Sequence, residues 1–117
     1  MYFVYIIRCC GDKLYTGITT DIKRRMNEHF RQTEKCAKFT RSHKAEALEA
    51  LWSTENRSLA SKLEWNIKHL TRAQKLALIR NNALFTEFFD SDAAESYQRE
   101  SVGKFLPELR INCTQNE

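Results

Sequence analysis

Tyr5 and Tyr15 are followed by Gly17, then by Arg25 and His29 four residues apart, and after a long gap by Glu64. Hydrolysis of a phosphodiester calls for side chains of these kinds. It needs a group that takes a proton from the attacking water, a cation that offsets charge building on the phosphorus oxygens, and help for the leaving oxygen. A hard divalent cation such as Mg²⁺ or Mn²⁺ prefers oxygen ligands and keeps several waters. One carboxylate, here Glu64, together with phosphate oxygens therefore suffices to hold it. Arg25 carries the planar fork that grips a phosphate bidentately. His29 shares a side of the same helix, close to its apolar stripe, and fits a core histidine as well as it fits one that moves a proton or orients a tyrosine. The others also have ordinary readings: strand aromatics for the tyrosines, a bulge glycine for Gly17, a solvated helix flank for Glu64. A phenol titrates near about 10, so a tyrosine acting as base needs a neighbouring cation or a metal-bound water.

The elements that must position these residues are legible in the spacing of apolar positions. Tyr2–Cys9 is almost wholly β-branched, aromatic or apolar, and residues 14–20 follow a short polar turn with Gly11 and Asp12, so the pattern predicts a β-hairpin. For Tyr5 and Tyr15 to serve one site they must share a face of that hairpin. In an antiparallel pair this requires opposite residues whose numbers sum to an even value, hence a turn of three or five residues and not four. Thr20 is placed to cap a helix with Asp21 in its first turn, and Ile22, Met26 and Phe30 give that helix one apolar stripe. Within it, Arg24 points away from Arg25 and can pair with Glu28. Residues 35–47 are polar and basic and read as a loop, and residues 47–53 as a third strand. Leu59, Leu63, Ile67 and Leu70 mark a helix over residues 57–70, with Glu64 at the border of its stripe. Trp65 lies opposite that stripe and is expected to pack under the next helix instead of stacking on a base. Thr71 caps that next helix, which runs to about Arg80, and a short helix over residues 82–89 closes the core. Further on, Val102, Phe105, Leu106 and Leu109 form a short amphipathic piece of unassigned position.

A chain of 117 residues with 42% hydrophobic composition supports one compact core. The expected domain spans residues 1–89, with residues 90–117 as an extension and not a second domain. No apolar run approaches the roughly 20 residues that cross a bilayer, and the start of the chain lacks the features of a signal peptide, so the expectation is a cytoplasmic protein without membrane contact. Cys9, Cys10, Cys36 and Cys113 show no metal-binding spacing and are expected as reduced thiols. The net charge of +4 is uneven. Six acidic residues from Asp90 onward (Asp90, Asp92, Glu95, Glu100, Glu108 and Glu117) face only Arg99, Lys104 and Arg110, which leaves residues 1–89 with an excess of seven positive charges. That basic part is the one suited to nucleic acid. Lys38, Arg41, His43 and Lys44 are placed to follow a nucleic-acid backbone, with Arg57, Lys62 and Lys68 adding to the surface.

The run of residues 14–21, Leu-Tyr-Thr-Gly-Ile-Thr-Thr-Asp, preceded by Phe3-Val4-Tyr5 and followed by Arg24-Arg25 and His29, resembles the GIY-YIG endonuclease superfamily, especially its small stand-alone bacterial branch. Ala37-Lys38-Phe39-Thr40-Arg41, then Arg57-Ser58-Leu59-Ala60 with Glu64, and Lys68-His69-Leu70-Thr71 extend the likeness to about residue 80. The departure is Phe3, where the family's name records a glycine. The resemblance implies an α+β fold in which a three-stranded antiparallel sheet is flanked by helices. It implies catalytic roles for Tyr5, Tyr15, Arg25 and His29 and a metal-binding role for Glu64. The expected activity is a metal-dependent endonuclease acting on DNA, structure-selective and serving repair or processing. Its rivals are a non-catalytic module that binds nucleic acid and an interaction protein that docks through its acidic tail.

Overall fold

The computed structural model describes residues 1–104. Strands β1 (Tyr2–Cys9) and β2 (Lys13–Thr19) form a hairpin, and helices α1 (Ile22–Phe30) and α2 (Lys38–Ser42) lead into β3 (Ala45–Thr54). Helices α3 (Arg57–Lys68), α4 (Arg72–Arg80), α5 (Phe85–Phe88) and α6 (Ser91–Ala94) follow, and a short strand β4 (Gln98–Arg99) comes last. The sheet is antiparallel with strand order β2-β1-β3-β4. The architecture is α+β as expected, but the sheet has four strands and not three.

The extra strand pairs Arg99 with Trp52 and Gln98 with Ser53, and the Glu100 amide adds a 2.8 Å bond to the Leu51 carbonyl. Two residues leave no alternation to read. What holds β4 is Arg99, whose guanidinium lies 5.0 Å from the Trp52 ring centroid and donates to the carbonyls of Ile79 (2.9 Å) and Leu78 (3.3 Å) near the end of α4. Those are carbonyls a helix cannot satisfy internally.

Each face of the sheet buries its own apolar set. Tyr5, Ile7 and Cys9 of β1 pack with Ile22, Met26 and Phe30 of α1 and with Leu48 and Leu51 of β3, flanked by Phe3, Tyr15, Phe39 and Val102. Val4, Ile6, Ala50 and Trp52 face Ala60, Leu63 and Ile67 of α3, Leu78 of α4 and Phe85 of α5. Leu48 and Leu51 reach the same face despite odd spacing because the β1–β3 register shifts between Ile6 and Ile7, a bulge that re-aims the chain.

The hairpin register pairs Cys9 with Lys13, Ile7 with Tyr15 and Tyr5 with Gly17. The turn is therefore the three residues 10–12, and both tyrosines share a face. Gly11 (φ 76°) and Asp12 (φ 59°) take the left-handed conformation that glycine adopts freely and aspartate tolerates. Asp12 is further tied to Arg72 by a 2.9 Å ion pair.

Three local expectations need correction. Asp21, not Thr20, is the N-cap of α1, its carboxylate accepting from the Arg24 amide at 3.2 Å. Residues 35–47 are not a plain loop: they contain α2 and the start of β3. Trp65 does not pack under α4 but stands 60% exposed. Val102 packs on the α1 face, whereas Phe105, Leu106 and Leu109 lie outside the described residues. The expected cap at Thr71 is present as a full capping box with Gln74.

Candidate active site

Tyr5 is almost fully buried on the central strand β1, and its ring crosses toward the edge strand β2 over Gly17. A Cβ built on Gly17 would meet the Tyr5 hydroxyl and lie only 2.7 Å from its Cζ. Glycine is thus required here for space and not for its backbone angles. The missing side chain delivers the phenol to the β2 edge of the sheet, where a helix from the opposite face can share a site with it. That helix is α3, which lies across β1 and β2.

The Tyr5 hydroxyl is 2.7 Å from His29 Nε2, and His29 Nδ1 is 2.8 Å from Thr40 Oγ1. Thr40 has a single hydroxyl proton, which it donates to the Ala37 carbonyl at 3.1 Å. Its oxygen therefore accepts, so His29 carries its proton on Nδ1 and presents the Nε2 lone pair to Tyr5. The Tyr5 O–H donates to it. His29 and Thr40 are both fully buried, so water does not compete for this chain of bonds. Burial, with the Arg25 charge acting in the same direction, lowers the His29 pKa to about 4, and the imidazole is neutral at physiological pH. Burial and the neighbouring Tyr15 raise the Tyr5 pKa well above the usual phenol value. The adjacent Arg25 guanidinium opposes that rise, and the Glu64 carboxylate adds to it. Tyr15 completes an aromatic cluster, its ring 6.4 Å from that of Tyr5 and 5.5 Å edge-on from His29. It also stacks on Phe39, which in turn stacks on His43 at 4.4 Å.

Arg25 is held from behind. Its Nη1 donates to Glu28 Oε1 and to the Lys35 carbonyl, both at 2.8 Å. Glu28 is itself only 6% exposed, and its carboxylate binds Arg25 more closely than it binds Arg24, which lies at 3.5 Å. Desolvation works against the Arg25 charge, but the bonds to Glu28 and Tyr5 outweigh it and keep the guanidinium firmly protonated. The same arginine borders an open cleft with Arg24, Glu28, Ile18, Thr20 and Arg57.

Glu64 sits at the border of the α3 stripe, its side chain 25% exposed and ion-paired with Lys68 at 3.4 Å. Among the described residues no group of three or more His, Cys, Asp or Glu side chains could hold a metal ion. A closed protein cage is thus not what the site offers. One partly open carboxylate, near enough to be felt at Tyr5, fits a hard cation whose other ligands are waters and phosphate oxygens. Of the residues expected to contact nucleic acid, Arg57 reaches the cleft of Arg25, while Lys38, Arg41 and Lys44 are exposed on or beside α2. Arg41 is partly committed to the Glu34 carbonyl at 2.9 Å.

Sequence reasoning missed two residues. The sequence pattern pairs Glu28 with Arg24, although its i+3 spacing from Arg25 is equally legible. Thr40 stands among charged neighbours suited to phosphate contacts, and its uncharged hydroxyl gives no signal until α2 is folded against His29.

The chain is similar in sequence to known proteins. The UPF0213 protein YhbQ of Escherichia coli O127:H6 is 42% identical over 90 residues, covering 77% of this chain and 88% of that protein. The YhbQ protein of Escherichia coli O1:K1 is 41% identical over the same length. The solution structure of the UPF0213 protein BH0048 from Bacillus halodurans aligns with 34% identity and a TM-score of 0.41, covering 68% of this chain and 84% of that one. Residues 1–77, which contain every one of Tyr5, Tyr15, Gly17, Arg25, His29 and Glu64, match the GIY-YIG catalytic domain, and the chain belongs to the GIY-YIG family.

Proposed function

We propose that the protein is a metal-dependent endonuclease that hydrolyses DNA phosphodiester bonds, with Tyr5 as the base and Glu64 as the protein's ligand to Mg²⁺ or Mn²⁺. The observation that carries this reading is the directional chain from the Tyr5 hydroxyl to His29 Nε2 and from His29 Nδ1 to Thr40. A structural tyrosine has no need of a neutral imidazole fixed in the accepting tautomer. The Tyr5 oxygen takes a proton from the attacking water while its own proton passes to His29 Nε2, so His29 becomes an imidazolium and the water oxygen is freed to attack phosphorus.

In the free protein burial of His29, and after it the nearby Arg25 charge, resists this transfer. A phosphate gripped by the remaining Arg25 N–H groups offsets that charge and raises the proton affinity of His29, which favours the relay when substrate is bound. Arg25 also stabilises the charge that develops on the phosphorus oxygens, and Glu28 fixes its direction. When bound at Glu64, the cation supplies further charge neutralisation there and at the leaving oxygen. Arg57, in the cleft, and Lys38, Arg41 and Lys44, near α2, extend the basic surface along the strand. Tyr15 packs against both Tyr5 and His29 and shields the His29 end of the relay from bulk solvent.

The test incubates purified protein with labelled plasmid, single-stranded and branched DNA in Mg²⁺ or Mn²⁺, beside Glu64→Ala prepared identically. Cleavage by the parent, lost in Glu64→Ala and in chelator while DNA binding persists, is the expected result. Equal cleavage by both proteins would refute the assignment, and binding by both without cleavage would favour a non-catalytic binding module.

A further inference from the structure

Trp65 is 60% exposed, and no other tryptophan, tyrosine or phenylalanine among the described residues is as open. It is nevertheless held in place. The His69 imidazole stacks on it with ring centroids 3.8 Å apart and planes 25° from parallel, and His69 Nδ1 is anchored at 2.7 Å from the Trp65 carbonyl oxygen. One face of the indole is thereby covered, and the exposure falls on the other face and the edges. A tryptophan immobilised in this way meets a flat ligand with little further loss of side-chain freedom.

Its position selects the ligand. Trp65 directly follows Glu64 on α3, and at about 100° per residue Ser61, one turn before, and Lys68, one turn after, fall between them around the helix, the Lys68 ammonium 3.4 Å from Glu64. Arg57, two turns before Glu64 on the same side, opens into the Arg25 cleft. The solvent side of α3 thus runs from a phosphate-binding cleft through a carboxylate and an ammonium to an open aromatic face. An anionic backbone carrying flat π-systems matches that order of groups, and stacking of a base on an aromatic side chain does not depend on its sequence. A base inside a duplex is already stacked on both faces and cannot lie on the indole.

We propose that Trp65, backed by His69, is a stacking platform for an unpaired DNA base flanking the bond that is cleaved, so that the site takes DNA with a single-stranded portion. This rests on the nuclease reading of the Glu64 site.

Intrinsic fluorescence tests it, because Trp52 is buried, bonded to Asn82 and serves as a constant background. The protein, in chelator to prevent cleavage, is titrated with oligothymidylate, with an abasic oligomer of equal length and with a blunt duplex. Only oligothymidylate is expected to quench. With affinities read separately by anisotropy of end-labelled oligomers, Trp65→Ala should weaken oligothymidylate binding about tenfold, Trp65→Phe should keep most of the affinity, and the abasic oligomer should bind all three proteins alike. Equal quenching by the abasic oligomer, or unchanged oligothymidylate binding by Trp65→Ala, overturns the platform. The two readings fail separately: Glu64-dependent cleavage without base-dependent quenching removes the platform alone. Base-dependent quenching without any cleavage removes the nuclease and upholds the platform as a binding site.

Discussion

Tyr5, Gly17 and His29 form a unit in which each residue's type is set by another's. Gly17→Ala brings a methyl group against the Tyr5 ring, and neither a rigid ring nor a central strand yields by the ångström required. The variant should unfold about 1–3 kcal/mol more readily, as small-to-large changes in packed sites do. Cleavage should fall by about a hundredfold or more, because the hydroxyl is displaced from His29. Denaturant unfolding and single-turnover cleavage check the two effects, and an active, stable Gly17→Ala protein would show that the ring does not need the notch. His29 makes a second claim. Its folded pKa, near 4, lies below the unfolded value of about 6.5, so the unfolded chain binds the extra proton between these values. The resulting stability is fully present above about pH 6.5 and is lost as pH falls to about 4, by on the order of 3 kcal/mol. His29→Gln should flatten that part of the stability-against-pH curve, and an unaltered slope would mean that His29 titrates normally. The candidate residues themselves were legible because they are chemically conspicuous types. Their wiring was not, since Thr40 acts through a tautomer that only folding defines.

Elements were legible where they are long and periodic. The hairpin, α1, β3, α3 and α4 follow from apolar spacing and turn residues, and the even-sum condition on Tyr5 and Tyr15 correctly required an odd turn, which is three residues long. Short pieces escaped. α2 has five residues and β4 two, too few for a period, and both are held by tertiary bonds instead of by propensity. Trp65 was misplaced because a bulky apolar residue off the main stripe suggests a second packing face, whereas α4 is covered elsewhere by Leu78 on the Trp52 side of the sheet. The Arg99 clasp makes the bonded nature of β4 measurable. Arg99→Ala removes bonds to two α4 carbonyls and the cation above Trp52, and should cost about 2–3 kcal/mol of unfolding free energy in urea. Arg99→Lys should not restore it, because an ammonium lacks the planar fork. Cleavage per folded molecule should stay at the parent level, since β4 lies at the far edge of the sheet from β2. A melting curve unchanged by Arg99→Ala would reduce β4 to a passive contact.

On the scale of the whole molecule, the sheet separates duties. One edge, β2, carries the Tyr5 hydroxyl and the cleft, and the other, β3–β4, ties α4 and the later residues to the core. No helix among the described residues is long and apolar enough to cross a membrane, and the positive charge that sequence composition assigns to residues 1–89 is displayed around the β2 edge and α2 by Arg24, Arg25, Lys38, Arg41, Lys44 and Arg57. Charge of that kind binds a polyanion by releasing its counterions, so affinity should fall steeply with salt, by a log–log slope of about 0.9 for each phosphate neutralised. Lys38 and Arg41 are exposed on α2 whereas Thr40 is buried, and exchanging both for alanine removes two such contacts, with the Arg41 bond to the Glu34 carbonyl, while every side chain of the relay stays in place. The slope of log affinity against log salt should then become shallower by about 2, with the rate of the bound complex at saturating DNA unchanged. Fluorescence-anisotropy titrations over a salt series beside single-turnover cleavage separate these quantities. A slope that stays put would place the DNA backbone along α3 and the Arg57 cleft alone, whereas a falling rate at saturation would make α2 part of the catalytic alignment, acting through Thr40 on the tautomer of His29.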